Sequence, residues 1–184
     1  MSSCPQLCRR CVDKLEPNPV LQFHPDARIL IIGQAPGAAV HRSGIPFDDP
    51  SGRRLRQWLA MDESTFYDPQ QVAIMPMGLC YPGKGRSGDN PPDPRCAPLW
   101  HPQLLPQLQQ LRLTLLIGQY AQKRYLAGFT NTTAAVQAWQ QWLPQGRLAL
   151  PHPSPRNNIW LKRNPWFEQA LLAPLQQAVA AALA

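Results

Sequence analysis

Residues 28–37 read RILIIGQAPG. Ile29, Leu30, Ile31 and Ile32 form an unbroken apolar run, and a turn begins at Gly33. A short apolar run closed by a turn is the pattern of a parallel strand covered on both faces, because neither face then needs polar side chains. The turn, Gly33-Gln34-Ala35-Pro36-Gly37, sets two glycines around a proline. Proline stiffens the loop, and glycine lets the backbone approach a ligand closely. A second peptide, His152-Pro153-Ser154-Pro155-Arg156-Asn157, follows the short stretch 147–150 in the same manner. The two loops are expected to face each other and form the active site.

Working outward, further strands are expected at 72–77, 111–117 and 147–150. Helices are expected at 52–61, 101–110, 119–127, 133–143 and 165–182. Ser51 reads as the N-cap of the first helix, and Leu55, Trp58 and Leu59 recur at helical spacing on its core face. Residues 78–98 form a long loop rich in glycine, proline and charge. Strands alternating with helices predict an α/β fold, a three-layer α/β/α sandwich around a central, mostly parallel four-stranded sheet. Ligands bind such sheets beyond the carboxyl ends of the strands. The GQAPG loop, the loop starting at Gly78 and the HPSPRN loop all fall at that end. The chain is read as one domain over residues 1–184, with 1–25 as a cysteine-bearing segment packed on it.

The 184 residues are 44% hydrophobic and carry a formal net charge of +7. That hydrophobic share suffices for a folded core, and the basic balance suits a polyanion such as nucleic acid. No apolar run approaches the roughly 18–20 residues of a membrane span, and the N-terminus shows no apolar signal core. A cytoplasmic monomer without a membrane partner is the expectation. Five cysteines in such a chain argue against disulfides. Cys4, Cys8 and Cys11 crowd the N-terminus, a pattern that suggests a metal or cluster site.

Taken alone, GQAPG reads equally well as an ordinary strand-to-helix turn. HPSPRN is more telling, because two prolines hold His152 rigidly. Rigid placement suits a hydrogen bond to charge that develops in a transition state. A structural histidine bonding a nearby carbonyl is the competing reading.

Together the two loops resemble those of the uracil-DNA glycosylase superfamily, with its Gly-x-x-Pro loop after the first strand and His-Pro-Ser loop after the last. HPSPRN is most similar to the single-strand-selective monofunctional branch. GQAPG followed by Gly44-Ile45-Pro46-Phe47 is most similar to the iron–sulfur branch called family 4. The cysteines fit that branch too. Cys8 and Cys11 precede the first strand, and Cys80 and Cys96 follow the second. The resemblance implies that these four thiolates hold a [4Fe–4S] cluster, with Cys4 a spare or a substitute for Cys8. From the residues alone, zinc or no ligand at all remains open. The resemblance also implies that Phe47 stacks on the flipped base and that the cluster is structural, pinning the N-terminus to the loop between Cys80 and Cys96.

Two positions depart from the family. Ala35 stands where the best-known branch has an Asp that positions water. Pro76 stands where family 4 has an Asn that reads the Watson–Crick edge of uracil, and proline offers no side-chain donor or acceptor. Met75 and Met77 nearby suggest a more apolar pocket, which could accept another base or read uracil through backbone groups of Gly78 and Leu79. Asp48 is a candidate to replace the missing carboxylate, with a solvated or helix-capping acid as the alternative.

The expected activity is that of a monofunctional DNA glycosylase. It would hydrolyse the N-glycosidic bond of a deaminated or damaged base in single- or double-stranded DNA, with uracil the first choice. His152, Gln34, Ala35 and Asp48 would act on the reaction. Gly33, Phe47, Pro76, Gly78, Ser154, Arg156 and Asn157 would bind substrate, and Lys84, Arg86, Lys162 and Arg163 as a group would meet phosphates. No lysine sits where a motif would let it form a Schiff base, so lyase activity is not expected. The alternatives are a non-catalytic damaged-DNA-binding module on the same fold and a hydrolase of free nucleosides or nucleotides.

Overall fold

Along the chain the elements are β1 (Ile29–Ile32), α1 (Ala38–Ser43), α2 (Pro50–Leu59), α3 (Glu63–Phe66), β2 (Val72–Ile74), β3 (Lys84–Gly85), β4 (Gly88–Asp89) and α4 (Cys96–Leu104). After these come β5 (Leu113–Ile117), α5 (Gln119–Tyr125), α6 (Thr132–Gln137), α7 (Trp139–Trp142), β6 (Arg147–Leu150), α8 (Asn158–Arg163) and α9 (Leu172–Leu183). This computed structural model describes residues 5–184, so the role considered for Cys4 lies outside the described residues.

Strands β2, β1, β5 and β6 form one parallel sheet in that order. Its helices make the three-layer α/β/α arrangement read from the alternation of elements. Helices α2 and α9 pack on each other and α9 crosses β1 and β5, while α5 lies on β5 and α6 and α7 on β6. All four side chains of β1 are buried. Each contributes about 1.5–3 kcal/mol by leaving water, which is why the strand shows no polar alternation. From β1 the chain crosses to β2 on one side, and from β5 to β6 on the other. The connections diverge between β1 and β5, and a crevice opens at their carboxyl ends.

Several boundaries differ from expectation, each at an identifiable residue. Helix α2 starts at Pro50, and its cap is Asp49, whose Oδ1 accepts from Gly52 N at 2.8 Å. Aspartate is as good a cap as serine, and Pro50 is well placed in the first turn because its missing N–H is not needed there. Ser51 is therefore buried inside that turn. Leu55, Trp58 and Leu59 face the core as the spacing predicts. Strand β2 ends at Ile74, because Pro76 cannot donate to a ladder. The chain still runs beside β1, with Met75 N donating to Ile31 O and Met77 N to Gly33 O, both at 2.9 Å.

The long loop from Gly78 holds the β3–β4 hairpin and the start of α4. Helix α4 stops at Leu104, and Pro106 lies in the 3₁₀ turn Leu105–Gln107 that follows. The stretch 133–143 divides into α6 and α7, and a π-turn, Phe167–Leu171, leads into α9. No helix among the described residues is long and apolar enough to cross a membrane.

Candidate functional site

The crevice holds a cavity of about 580 Å³. The segments that follow all four strands of the sheet reach it. Gly33–Gly37 enters from β1, Pro76 from β2, Gln119 and Tyr120 from β5, and His152 to Asn157 from β6. The hairpin closes one side with Ser87, Gly88 and Asp89.

His152 is held at both ends of its loop. Its Nδ1 accepts from Ser154 N at 3.2 Å, and its carbonyl accepts from Asn157 Nδ2 at 2.8 Å. Ser154 Oγ accepts from Arg156 N at 3.2 Å, which turns the loop into the 3₁₀ turn Pro155–Asn157. Burial pushes the His152 pKa down, opposed by the carboxyls of Asp49 and Asp89, so the ring is neutral at pH 7. A neutral ring that accepts at Nδ1 carries its proton on Nε2. Nε2–H is thus a donor available to the cavity.

Phe47 lies opposite. Its ring edge sits over Gly33, where a Cβ would meet Cζ at 3.4 Å. Its other side meets Phe66 edge-on, with centroids 6.2 Å apart. Phe47 has φ 56°, in the left-handed region that costs a bulky residue energy. The strain is held by packing, because the backbone of Gly52 presses directly on the Phe47 carbonyl.

The GQAPG backbone faces the same space. Among the described residues, none accepts a hydrogen bond from the N–H of Gln34 or Ala35. The carbonyl of Gln34 is occupied by Gly78 N at 2.9 Å. Leu79 N is also occupied, donating to Cys96 Sγ at 3.3 Å. Neither N–H is therefore free to read a base, and Gly78 does not line the cavity. Gly78 instead backs the loop, with Ala35 Cβ 3.5 Å from where its own Cβ would be. Pro76 lies on the cavity wall with Val20 and Ile74, so that side is apolar.

Asp48 is brought elsewhere. It lines a separate shallow pocket with Gln22, Glu63 and Tyr67 and is absent from the main cavity. The carboxyls that do reach the cavity are Asp49 and Asp89. Asp89 comes from the hairpin, and no motif pointed to it. Lys84, Arg86, Arg156, Lys162 and Arg163 are all exposed.

Two buried residues behind the cavity went unnoticed in the sequence. Gln122, fully buried on α5, donates from Nε2 to Leu116 O at 3.1 Å and to Leu150 O at 2.8 Å. It splints the ends of β5 and β6 just before the His152 loop. Two such bonds contribute about 1 kcal/mol each. Gln122→Leu is expected to lower stability by about 2 kcal/mol, read as a shift of the urea midpoint at unchanged slope.

His101, 1% exposed on α4, donates from Nε2 to Pro76 O at 3.1 Å, which leaves Nδ1 to accept from the Tyr125 hydroxyl. Burial lowers its pKa, the Pro76 bond works the other way, and Arg124 lowers it further. The folded state thus prefers neutral His101, and below about pH 6.5 the unfolded chain binds more protons. Stability is expected to be full above that pH and to fall as pH drops below it, by at most about 1.4 kcal/mol per pH unit for this group. Urea midpoints at pH 7.5 and 5.5 read the loss, and His101→Phe should flatten part of the slope.

The cysteine reading needs correction. Cys8, Cys11, Cys80 and Cys96 line one small cavity of about 20 Å³. That is room for a water molecule, not for a cube of iron and sulfide. Among the described residues, no group of three or more His, Cys, Asp or Glu side chains could hold a metal ion. The expected [4Fe–4S] cluster and its zinc alternative are therefore withdrawn, as is iron–sulfur or metal-binding character. The N-terminal segment is tied down by other means. Val20 N donates to Leu79 O at 2.7 Å, and Arg95 bridges Asp13 at 3.1 Å and Asp93 at 2.8 Å.

A family model described as "Uracil DNA glycosylase superfamily" matches residues 21–176. Among solved structures, the chain is similar to a putative uracil DNA glycosylase from Methanosarcina acetivorans. That similarity has 15% identity and a TM-score of 0.46 over 86% of this chain and 94% of that one. The match is to the superfamily as a whole and singles out neither the single-strand-selective nor the iron–sulfur family 4 branch, and among the described residues no cysteine group could hold a metal ion, so the narrower likenesses fall away. On the strength of a family match that spans both the GQAPG and HPSPRN loops, this chain belongs to the uracil DNA glycosylase superfamily.

Proposed function

We propose that the protein is a monofunctional DNA glycosylase acting in base excision repair. It hydrolyses the N-glycosidic bond of a deaminated or damaged base in DNA, with uracil the first candidate. The observation that carries this reading is the state of His152: neutral, held at Nδ1 by Ser154 N, and free to donate from Nε2 in the cavity that also holds Phe47 and the GQAPG backbone. Breaking the bond leaves negative charge on the base and positive charge on the sugar. A preorganised donor aimed at the developing anion stabilises the transition state more than the ground state.

In this reading a base flipped out of the strand stacks on Phe47, with Gly33 leaving room for the ring. The N–H groups of Gln34 and Ala35 bind a base oxygen beside His152. Ser154 and Asn157 hold the loop, and Arg156 reaches the strand at its rim. Pro76 gives the base an apolar contact in place of an edge-reading side chain. The amide of Gln34, on the cavity wall, takes over part of that recognition. The cavity-lining residues include no lysine, which supports hydrolysis without a Schiff base and hence without strand cleavage. We place the whole activity in one domain, working as a cytoplasmic monomer.

The test is base release from oligonucleotides carrying uracil, hypoxanthine, xanthine or oxidised pyrimidines, in single and double strands. Release of one of these bases, leaving an abasic site and an uncut strand, is the expected result. Binding without release on every substrate would replace this reading with a damaged-DNA-binding module. A borohydride-trapped adduct would overturn the monofunctional assignment.

A further inference from the structure

The cavity wall carries two carboxyl groups, Asp49 and Asp89, and they are differently occupied. Asp49 spends Oδ1 on the first turn of α2, at 2.8 Å from Gly52 N. Asp89 has no such duty. Its Oδ1 lies 3.4 Å from the Tyr81 hydroxyl, long for a bond between two oxygens. Its Oδ2 hangs over the end of the GQAPG loop, 3.8 Å from where a Cβ on Gly37 would be.

The hairpin that carries Asp89 is firmly built. Lys84 pairs with Asp89 and Gly85 with Gly88. Asn90 closes its base, with N donating to Gly83 O at 2.9 Å and Nδ2 to Pro82 O at 3.1 Å. Gly88, at φ 146°, lies so close against Arg156 Nη1 that a side chain there would strike it. The hairpin therefore meets the HPSPRN loop at the cavity, and its last residue, Asp89, lies over the end of the GQAPG loop. The GQAPG loop carries no carboxylate of its own, and Asp89 brings one to the cavity beside its last residue, Gly37.

Resting on the glycosylase reading above, we propose that Asp89 is a further catalytic residue, the carboxylate that orients the attacking water and stabilises the sugar cation. The C1′–N bond breaks and its electron pair leaves with the base, whose oxygen is held by His152 Nε2–H. Water oxygen bonds C1′ from the side of Asp89. One water proton passes to the Asp89 carboxylate and then to solvent, while the departed base takes a proton from solvent. The net change adds OH to the sugar and H to the base.

Asp89→Asn keeps size and exposure and removes the charge, so it reads the carboxylate and not the fold. Single-turnover base release is expected to fall about 10²-fold, the usual scale for a positioned acid–base group, with DNA affinity retained. A second readout does not need activity. The charged groups around the His152 ring are Asp49 ahead of α2, Asp89 on the hairpin, Arg54 of α2, whose Nη1 donates to Ser154 O at 3.3 Å, and Arg156 of its own loop. Removing the Asp89 charge is expected to lower the His152 titration midpoint followed by NMR. An unchanged release rate, or an unmoved midpoint, overturns the role of Asp89 and leaves the glycosylase reading intact. A parent enzyme that releases no base from any substrate overturns both.

Discussion

His152→Ala is expected to slow single-turnover base release by about 10²–10³-fold, the usual cost of removing one preorganised donor, while DNA binding changes little. The substitution takes away the Nε2–H donor, the weak Nδ1 contact to Ser154 N and the packing of the ring beside Gly118. The rest of the loop is built without the ring. Asn157 Nδ2 bonds the backbone carbonyl of residue 152, Ser154 Oγ caps the following turn, and Arg54 holds the Ser154 carbonyl. Loop geometry should survive, so the lost rate reports the donor itself. An excess of enzyme over a labelled oligonucleotide, followed by quenched time points, gives the rate. A variant as fast as the parent would remove His152 from the chemistry and favour the purely structural histidine.

Gly52→Ala is expected to destabilise the protein by about 3 kcal/mol, the upper part of the range for overpacking a tight site. Gly52 sits in the first turn of α2 with its backbone against Phe47. A Cβ would come 2.7 Å from the Phe47 carbonyl carbon and 2.8 Å from its Cβ, with the carbonyl oxygen closer still. Backbone cannot rotate away as a flexible side chain can. Relief requires moving either the start of α2 or the strained Phe47 turn. The first movement opens the Asp49 cap at Gly52 N, itself worth about 1 kcal/mol. The second displaces the ring that stands over Gly33. Chemical denaturation reads the stability loss. Any folded fraction should also bind a base-containing strand more weakly if Phe47 stacks on the base as proposed, because its ring has moved. Unchanged stability would mean that the α2–Phe47 contact is looser than the geometry shows.

Position 76 serves the fold, since its carbonyl anchors His101 and its ring ends β2. In the proposed reading, the recognition that an amide side chain would supply there falls to other groups on the cavity wall. Gln34 and Gln119 are the amides that line it besides Asn157, and Asn157 is occupied by the His152 carbonyl.

What the amino-acid sequence determined by itself is the frame. ILII, four residues closed by a glycine turn, reads as a strand buried on both faces, and its turn into GQAPG, repeated at HPSPRN, puts two stiff loops at one sheet edge. Periodicity and proline positions are local, so they are readable without a structure. Tertiary structure decided everything that depends on which distant residues meet. Asp48 and Asp49 are neighbours in sequence, yet only Asp49 reaches the cavity, because capping α2 turns it inward. Asp89 reaches it from a two-residue strand in a loop with no periodic signal. Gln122 and His101 look like surface helix residues until α5 and α4 bury them against strand ends. The cysteines show the same limit from the other side. Their spacing allowed a cluster, but metal binding depends on how closely four thiols converge, and only the packing around a cavity of about 20 Å³ sets that.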